Sequence, residues 1–180
     1  MWKYVLFLLI FCFGIFSKSF ESIETLNSIV NEKTYINGQW REKKYYITLV
    51  YPNKVYKEIL EPKLNLGEKI IYIENYKWVY YPIFDEVYKE KLDGEENYIL
   101  SALKNIKEGI GNKTYEENRI INLDLNKEIK LTFDKYILVD NIEFSTEIRV
   151  YEENILIAIL CFENLEINKN YNDNLFDIGL

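Results

Sequence analysis

The alternation of apolar and polar side chains over residues 142–150 constrains the fold of this chain more than any other feature. Every second residue from Ile142 to Val150 is apolar or Thr, and the residues between them are Glu, Ser, Glu and Arg. A period of two predicts a strand with one buried and one wetted face, as in an antiparallel sheet. Further runs bounded by turn residues predict strands at 45–51, 55–60, 68–74, 77–82, 84–91, 115–123, 127–133 and 155–162.

Two segments have helical spacing instead. The first predicts an amphipathic helix that ends near residues 31–33, with apolar positions at Phe20, Ile23, Leu26 and Val30. The second covers 95–107, and Gly109 follows it as a stop signal. Because the segments around the second helix still read as antiparallel strands, a doubly wound parallel sheet is disfavoured. We predict a single α+β domain with a curved antiparallel sheet of about nine or ten strands.

The N-terminus has the pattern of a secretory signal peptide. Lys3 precedes an apolar run over residues 5–16, and Ser17 and Ser19 form a cleavage signal with small residues around Lys18. The run is shorter than the roughly 20 residues that a membrane-spanning helix needs. We therefore predict a signal peptide over 1–19 and one domain over 20–180. Lipidation at Cys12 and retention as an uncleaved anchor are the alternatives.

The composition excludes several classes of function. The chain has no His, which removes the commonest general base and metal ligand. Cleavage after residue 19 would leave Cys161 as the one cysteine, and its apolar neighbours predict a buried, unreactive thiol. A net charge of −7 disfavours nucleic-acid binding. No phosphate-binding loop, nucleophile or metal motif occurs, so we expect no catalytic residue, no metal and no cofactor.

Aromatic residues are abundant, with 16 Tyr, 10 Phe and 3 Trp. Tyr is a good strand residue, and this explains many of them. A second interpretation is that a curved sheet wraps its apolar concave face around a ligand or a lid. The run over 155–162 supports it, because this strand is apolar on both faces and needs cover on both sides.

Several turns and strand ends resemble the LolA-like proteins, a family of periplasmic lipoprotein carriers and outer-membrane lipoprotein-sorting proteins. The matching segments, in chain order, are Tyr51-Pro52-Asn53-Lys54, Glu61-Pro62, Gly67-Glu68-Lys69-Ile70 and Trp78-Val79-Tyr80-Tyr81-Pro82. The last contains the W-x-Y-x-P hairpin of the family. A late Leu165-Glu166-Ile167-Asn168 segment and Leu175-Phe176 match the family's ending. One departure is Tyr51, which stands before Pro52 where classical carriers place the Arg that latches the lid.

The resemblance implies an unclosed, half-open β-barrel in which two helices cover a concave apolar face. It implies a periplasmic, monomeric carrier without enzymatic activity that shields acyl chains of a lipoprotein or lipid between the inner and outer membranes. Its partners would be an inner-membrane donor and an outer-membrane acceptor. The alternatives are a LolA-like envelope sensor or interaction module that binds a membrane-anchored partner protein, and, least favoured without His, a hydrolase.

The residues expected to line the lipid cavity come from the central strands and from the second helix. Core packing is an equal alternative for each of them, and a shift of one residue in register would exchange the two faces. The predicted cavity residues are Ile47, Leu49, Tyr51, Trp78, Tyr80, Leu100, Leu103, Ile142, Phe144, Ile148, Ile157 and Ile159.

Overall fold

A single antiparallel sheet dominates the structure, a computed structural model that describes residues 20–92, 97–117 and 119–177. The predicted signal peptide lies outside these residues. Within them the sheet has 11 strands. The strands are β1 (Thr25–Ile36), β2 (Gln39–Val50), β3 (Lys54–Glu61), β4 (Lys69–Ile73), β5 (Tyr76–Tyr81), β6 (Glu86–Lys91), β7 (Lys113–Glu116), β8 (Arg119–Asp124), β9 (Ile129–Val139), β10 (Ile142–Glu152) and β11 (Ile155–Ile167).

The strand order shows that the sheet is open. It runs β6-β5-β4-β3-β2-β1-β11-β10-β9-β8-β7, so β6 and β7 are edges that do not pair with each other. Every neighbouring pair is consecutive in the chain except β1 and β11, which join the two meanders at the centre. Side chains of β2 and β3 meet side chains of β8, β9 and β10 in one apolar cluster. The sheet therefore curves around its own core as an open half-barrel.

One α-helix, α1 (Tyr98–Lys107), connects the two halves of the sheet and confirms the second predicted helix. The Asn97 side chain caps it by accepting a hydrogen bond of 3.0 Å from the Leu100 backbone N–H. Gly109 follows at φ 70°, a conformation that glycine adopts without strain. No helix in the described part of the chain has the length and apolarity to cross a bilayer.

The first predicted helix is wrong. Only Phe20–Ser22 forms a short 3₁₀ turn, and β1 begins at Thr25. β1 pairs with β2 over its whole length and with β11 on its other side, and two rows of ladder hydrogen bonds outweigh weak local helical spacing. Leu26 and Val30, four residues apart, lie on one face in a strand as they would in a helix. Among the residues that the structure describes, one α-helix and not two therefore covers the concave face.

The two faces of the sheet bury different clusters. The inner-face cluster contains the apolar side chains of β10, as the alternation at 142–150 predicts, and the buried side of α1. The outer-face cluster consists of Tyr56, Ile71 and Trp78, and Leu175 and Phe176 of the C-terminal segment pack against it.

The outer face of β10 is polar, as predicted, but it is less wetted than expected. Ser145 and Glu147 are both buried there. Glu147 forms ion pairs with Lys135 and Arg149 across its outer surface. Cys161, predicted to be buried, is half-buried beside this group, and burial followed by the nearby Glu147 charge raises the pKa of its thiol.

Candidate functional site

A cavity of about 290 Å³ lies on the inner face, between the start of α1 and the strands β11 and β1 to β5. One side of it is apolar and is formed mainly by Ile59, Ile70, Ile157, Ala158, Leu160 and Ile99. The other side is polar and is formed mainly by Glu32, Thr34, Lys43, Tyr45, Lys57 and Lys77. The cavity is therefore amphipathic, at the end of an otherwise apolar inner face.

Glu32 is the acceptor at the centre of the polar side. Its carboxylate accepts hydrogen bonds from Thr34 Oγ1 and from the Tyr45 hydroxyl, both at 2.8 Å. Burial opposes ionisation of Glu32, but the positive charge of Lys57, these two hydrogen bonds and Lys43 outweigh it, so the pKa of Glu32 lies below its ordinary value. Burial, and then the adjacent Glu32 charge, raise the pKa of Tyr45 well above its usual range. Glu32 is thus held ionised beside a neutral phenol.

Three lysines line the same cavity, and two of them, Lys43 and Lys57, act on this carboxylate. Lys43 is directly opposite Glu32 in the β1–β2 ladder. Lys57 Nζ lies 4.7 Å from the centroid of the Tyr45 ring and 6.0 Å from that of Tyr72. Such ring faces attract a cation and fix the position of the ammonium group. Lys77, on β5, forms an ion pair of 3.5 Å with Glu90 on the neighbouring edge strand.

Below the cavity, the inner-face cluster is closely packed. The Phe20 ring stacks on Phe144 with centroids 5.0 Å apart, and Phe162 meets Phe144 edge-on at 5.2 Å. Helix α1 covers this cluster with Ile99, Ala102, Leu103 and Ile106, all of which are buried.

The C-terminal end of α1 is attached to the sheet through Lys107. Its ammonium lies 4.0 Å from the centroid of the Tyr51 ring and forms an ion pair with Glu24. The Lys107 side chain is 10% exposed, whereas that of Glu24 is 63% exposed. Tyr51, the residue before Pro52, thus contacts the helix from the sheet side.

Most of the predicted cavity residues lie on the inner face. Six are buried in the inner-face cluster, namely Ile47, Leu49, Leu103, Ile142, Phe144 and Ile148. Tyr51, Leu100 and Ile157 are partly buried against that cluster, and Ile157 also lines the cavity. In this conformation the six buried residues contact one another rather than open space.

Trp78, Tyr80 and Ile159 lie on the outer face, which corrects their predicted placement. Trp78 is opposite Ile71 in the ladder and belongs to the outer-face cluster, and Tyr80, two residues on, shares its face. Tyr80 lines a separate outer cavity of about 260 Å³ against the C-terminal segment. Ile159 is opposite Lys33 and Arg149, so its side chain is on the outer face. Ile157, two residues earlier, lines the inner cavity because a bulge in β11 interrupts the usual alternation there.

The polar residues of the cavity were missed by the sequence reasoning, although two of them carry a signal. Lys57 stands between Val55 and Ile59, and Glu32 stands two residues after Val30. In each strand a charged side chain interrupts an otherwise buried face. A charge at an inward position indicates a polar site, because burial without a partner is costly.

Comparisons with known proteins identify the fold. No family model matches the chain, and no curated sequence matches it. Three solved structures are similar to it over nearly their whole length.

The first of these is a DUF1329 family protein from Desulfovibrio piger, with TM-score 0.64 and 11% identity over 87% of this chain and 91% of that chain. The second is an outer membrane lipoprotein-sorting protein domain from Vibrio parahaemolyticus, with TM-score 0.60 and 10% identity over 85% and 89%. The third is a LolA superfamily protein from Nitrosomonas europaea, with TM-score 0.62 and 10% identity over 90% and 95%.

An open antiparallel sheet that curves around an apolar core under one helix defines a class of half-barrel proteins. The three structural neighbours place this chain within that class more narrowly. It has a LolA-like fold, as its turn and hairpin residues indicate.

Proposed function

We propose that this protein is a periplasmic carrier that shields the acyl chains of a lipoprotein or lipid between two membranes. The observation that carries the proposal is the continuous apolar inner-face cluster, which lies under a single helix and leads into a cavity where that helix begins. The likeness to a lipoprotein-sorting domain and to a LolA superfamily protein supports it. The role needs no bond to be broken, so we propose binding without catalysis.

Acyl binding by this fold requires α1 to move. The inner-face residues that would contact a chain already contact Ile99, Leu103 and Ile106 of the helix. Each methylene removed from water contributes about 0.8 kcal/mol, so a sixteen-carbon chain provides roughly 12 kcal/mol to displace the helix. The displaced helix would then cover the chain with the same apolar side.

The route is also part of the proposal. Residues 1–19 would direct export, and a donor in the inner membrane and an acceptor in the outer membrane would load and unload a monomeric carrier. For release, the affinity of the carrier for its cargo must be low enough for the acceptor to remove the cargo. Closure of α1 over the empty inner face would favour this release.

The test has two parts: detection of lipid bound to the protein, and measurement of acyl-probe binding by one variant and its matched control. Native mass spectrometry of protein purified from its own host should detect bound lipid, and a fluorescent acyl probe should bind the delipidated protein. Ile157→Glu, on the cavity wall, should abolish probe binding, because the carboxylate would be buried against the chain. Ile155→Glu, exposed on the same strand, should leave it unchanged. Protein that is free of lipid and takes up no probe would overturn the proposal.

A second candidate function is an interaction module for a membrane-anchored partner protein. Exposed apolar side chains on two adjacent connections favour it. Leu64 is 79% exposed and Ile83 and Phe84 are 73% and 69% exposed, beyond the same end of β3, β4 and β5. If this function is correct, Ile83→Ser with Phe84→Ser should abolish partner capture, whether or not lipid is present. Retained capture by that double variant would exclude this surface.

A further inference from the structure

We propose that the outer face of β3, β4 and β5 is a docking site for an apolar peptide segment of a partner protein, and that residues 170–177 form a displaceable strap over it. The strap covers the site in the unbound protein and leaves when the partner's segment binds. This inference concerns the outer side of the sheet, so it does not depend on the proposed carrier function, which uses the inner side.

Large side chains form two neighbouring rows on this outer face. Tyr56, Ile71 and Trp78 are directly opposite one another in the β3–β4 and β4–β5 ladders. The next row places Lys69 opposite Tyr80. Residues that are opposite in an antiparallel ladder share a face, so the outer-face cluster and Tyr80 form one apolar and aromatic surface.

The strap is firmly attached where it begins. The Asn168 side chain accepts hydrogen bonds from the backbone N–H groups of Glu24 and Thr25, at 2.7 and 3.2 Å. In the last turn of the strap, by contrast, the Leu175 N–H donates to the Asn172 carbonyl at 3.0 Å. That bond lies within the strap and would remain if the turn left the sheet, while Asn168 served as the fixed end.

Two half-buried side chains, Leu175 and Phe176, hold the last turn against the outer-face cluster. Lys54 Nζ lies 5.5 Å from the centroid of the Phe176 ring, and Tyr171 of the strap meets that ring edge-on at 5.9 Å. Side chains that keep part of their area in water gain only part of the free energy of burial. A competing segment with a similar apolar pair can therefore displace the strap.

Two features show that the strap fits the site incompletely. A cavity of about 260 Å³ lies between the strap and Tyr56, Ile71 and Tyr80. Beside it, Trp78 is 7% exposed, and its indole Nε1–H has no hydrogen-bond acceptor in the part of the chain that the structure describes. Buried donors are nearly always paired, and an unpaired one carries a free-energy penalty. A partner segment that fills the cavity and supplies a carbonyl would fit better than the strap.

The experiment observes Trp78 by fluorescence in the full chain. Trp2→Phe and Trp40→Phe leave Trp78 as the one tryptophan. In this background, Leu175→Ser with Phe176→Ser should release the strap, so quenching of Trp78 emission by acrylamide should increase several-fold and the indole N–H should exchange faster with water.

The matched control for the released variant changes another adjacent apolar pair. Ile137→Ser with Leu138→Ser lies at exposed positions on β9, in the other half of the sheet, and should leave both measurements unchanged. Circular dichroism melting of each variant shows whether it is folded at the assay temperature.

A synthetic peptide with the sequence of residues 169–177 tests docking from solution. It should bind the released variant and restore the protection of Trp78 from acrylamide, and it should not bind when its own Leu and Phe are replaced by Ser. The unchanged protein should bind the peptide at least about tenfold more weakly, because the attached strap competes at a millimolar effective concentration. Phosphatidylcholine vesicles are tested in parallel as a ligand that is not a peptide.

Four results would overturn the inference. Unchanged quenching in the released variant would mean that the strap does not cover Trp78. Increased quenching without peptide binding would mean that the site accepts no segment from solution. Equal affinity of the peptide for the unchanged protein and the released variant would place its binding elsewhere. Protection of Trp78 by vesicles but not by the peptide would assign the surface to lipid.

Discussion

The contact between Lys107 and Tyr51 should control how often α1 opens. Lys107→Gln removes a cation 4.0 Å from the Tyr51 ring and its ion pair with Glu24. A cation–π contact that is largely shielded from water contributes about 1 kcal/mol or somewhat more. The pair with the exposed Glu24 adds less than about 1 kcal/mol. The closed position of α1 should therefore lose about 1–2 kcal/mol, which raises the open population about 5- to 30-fold.

Hydrogen exchange measures the larger open population of α1, and probe binding measures its effect on ligand affinity. Amide exchange in α1 should accelerate by the factor above in Lys107→Gln, because exchange through local opening follows the open population. If acyl chains bind only when α1 is displaced, the apparent affinity for a neutral acyl probe should increase by the same factor. Lys107→Arg should behave as the unchanged protein. Lys89→Gln, which loses a comparable contact on the outer face, should change neither measurement.

Two results would refute this reasoning. Unchanged exchange in α1 would mean that Lys107 does not hold the helix. Faster exchange without tighter probe binding would mean that ligands enter without displacing α1, and the proposed mechanism of cover would be wrong.

Three further predictions concern stability. Phe144→Ala should lower the free energy of unfolding, measured by urea titration, by about 3–5 kcal/mol, because removal of a fully buried ring between Phe20 and Phe162 leaves a cavity. The control Leu64→Ala, at an exposed site, should change the free energy of unfolding by less than about 0.5 kcal/mol. Gly111→Ala should lower the melting temperature, because φ is +78° and the new Cβ would lie 2.4 Å from the Asp124 carbonyl oxygen, whereas Gly38→Ala meets no such contact. The pKa of Glu32 is depressed in the folded protein, so the contribution of Glu32 to stability is complete above its unfolded pKa and is lost as the pH falls through its folded pKa. Glu32→Gln should therefore lose less stability in acid than the unchanged protein does. An acid profile identical to that of the unchanged protein would contradict this prediction.

The strands and α1 could be predicted because their signals are local. Alternation at 142–150 and the turn residues between the runs are short-range consequences of the pleat and of backbone geometry. The residues of α1 have an apolar face and are followed by Gly109, and both features act within a few residues. A local pattern also gave the wrong prediction at residues 20–30, because four apolar residues are too few to distinguish a helical period of 3.6 from the strand period of two.

The site depended on information that lies far apart in the chain. In β5, alternation indicates that Trp78 and Tyr80 share a face, but Leu175 and Phe176, about a hundred residues later, cover that face and make it the outer one. In β11 the bulge falls at Ile157, which puts Ile157 and Ile159 on different faces although they are two residues apart, and strand pairing with β10 rather than local preference places the bulge.

By itself, the sequence determined that this chain forms an antiparallel α+β domain with one helix after the β6 hairpin and turns resembling those of LolA-like proteins. Only the tertiary structure decided which face is inside, and only it brought Glu32, Lys43, Lys57 and Lys77 from four strands to one cavity. The physical reason is that the pleat acts over two residues, whereas burial and charge proximity depend on strands paired across the whole chain.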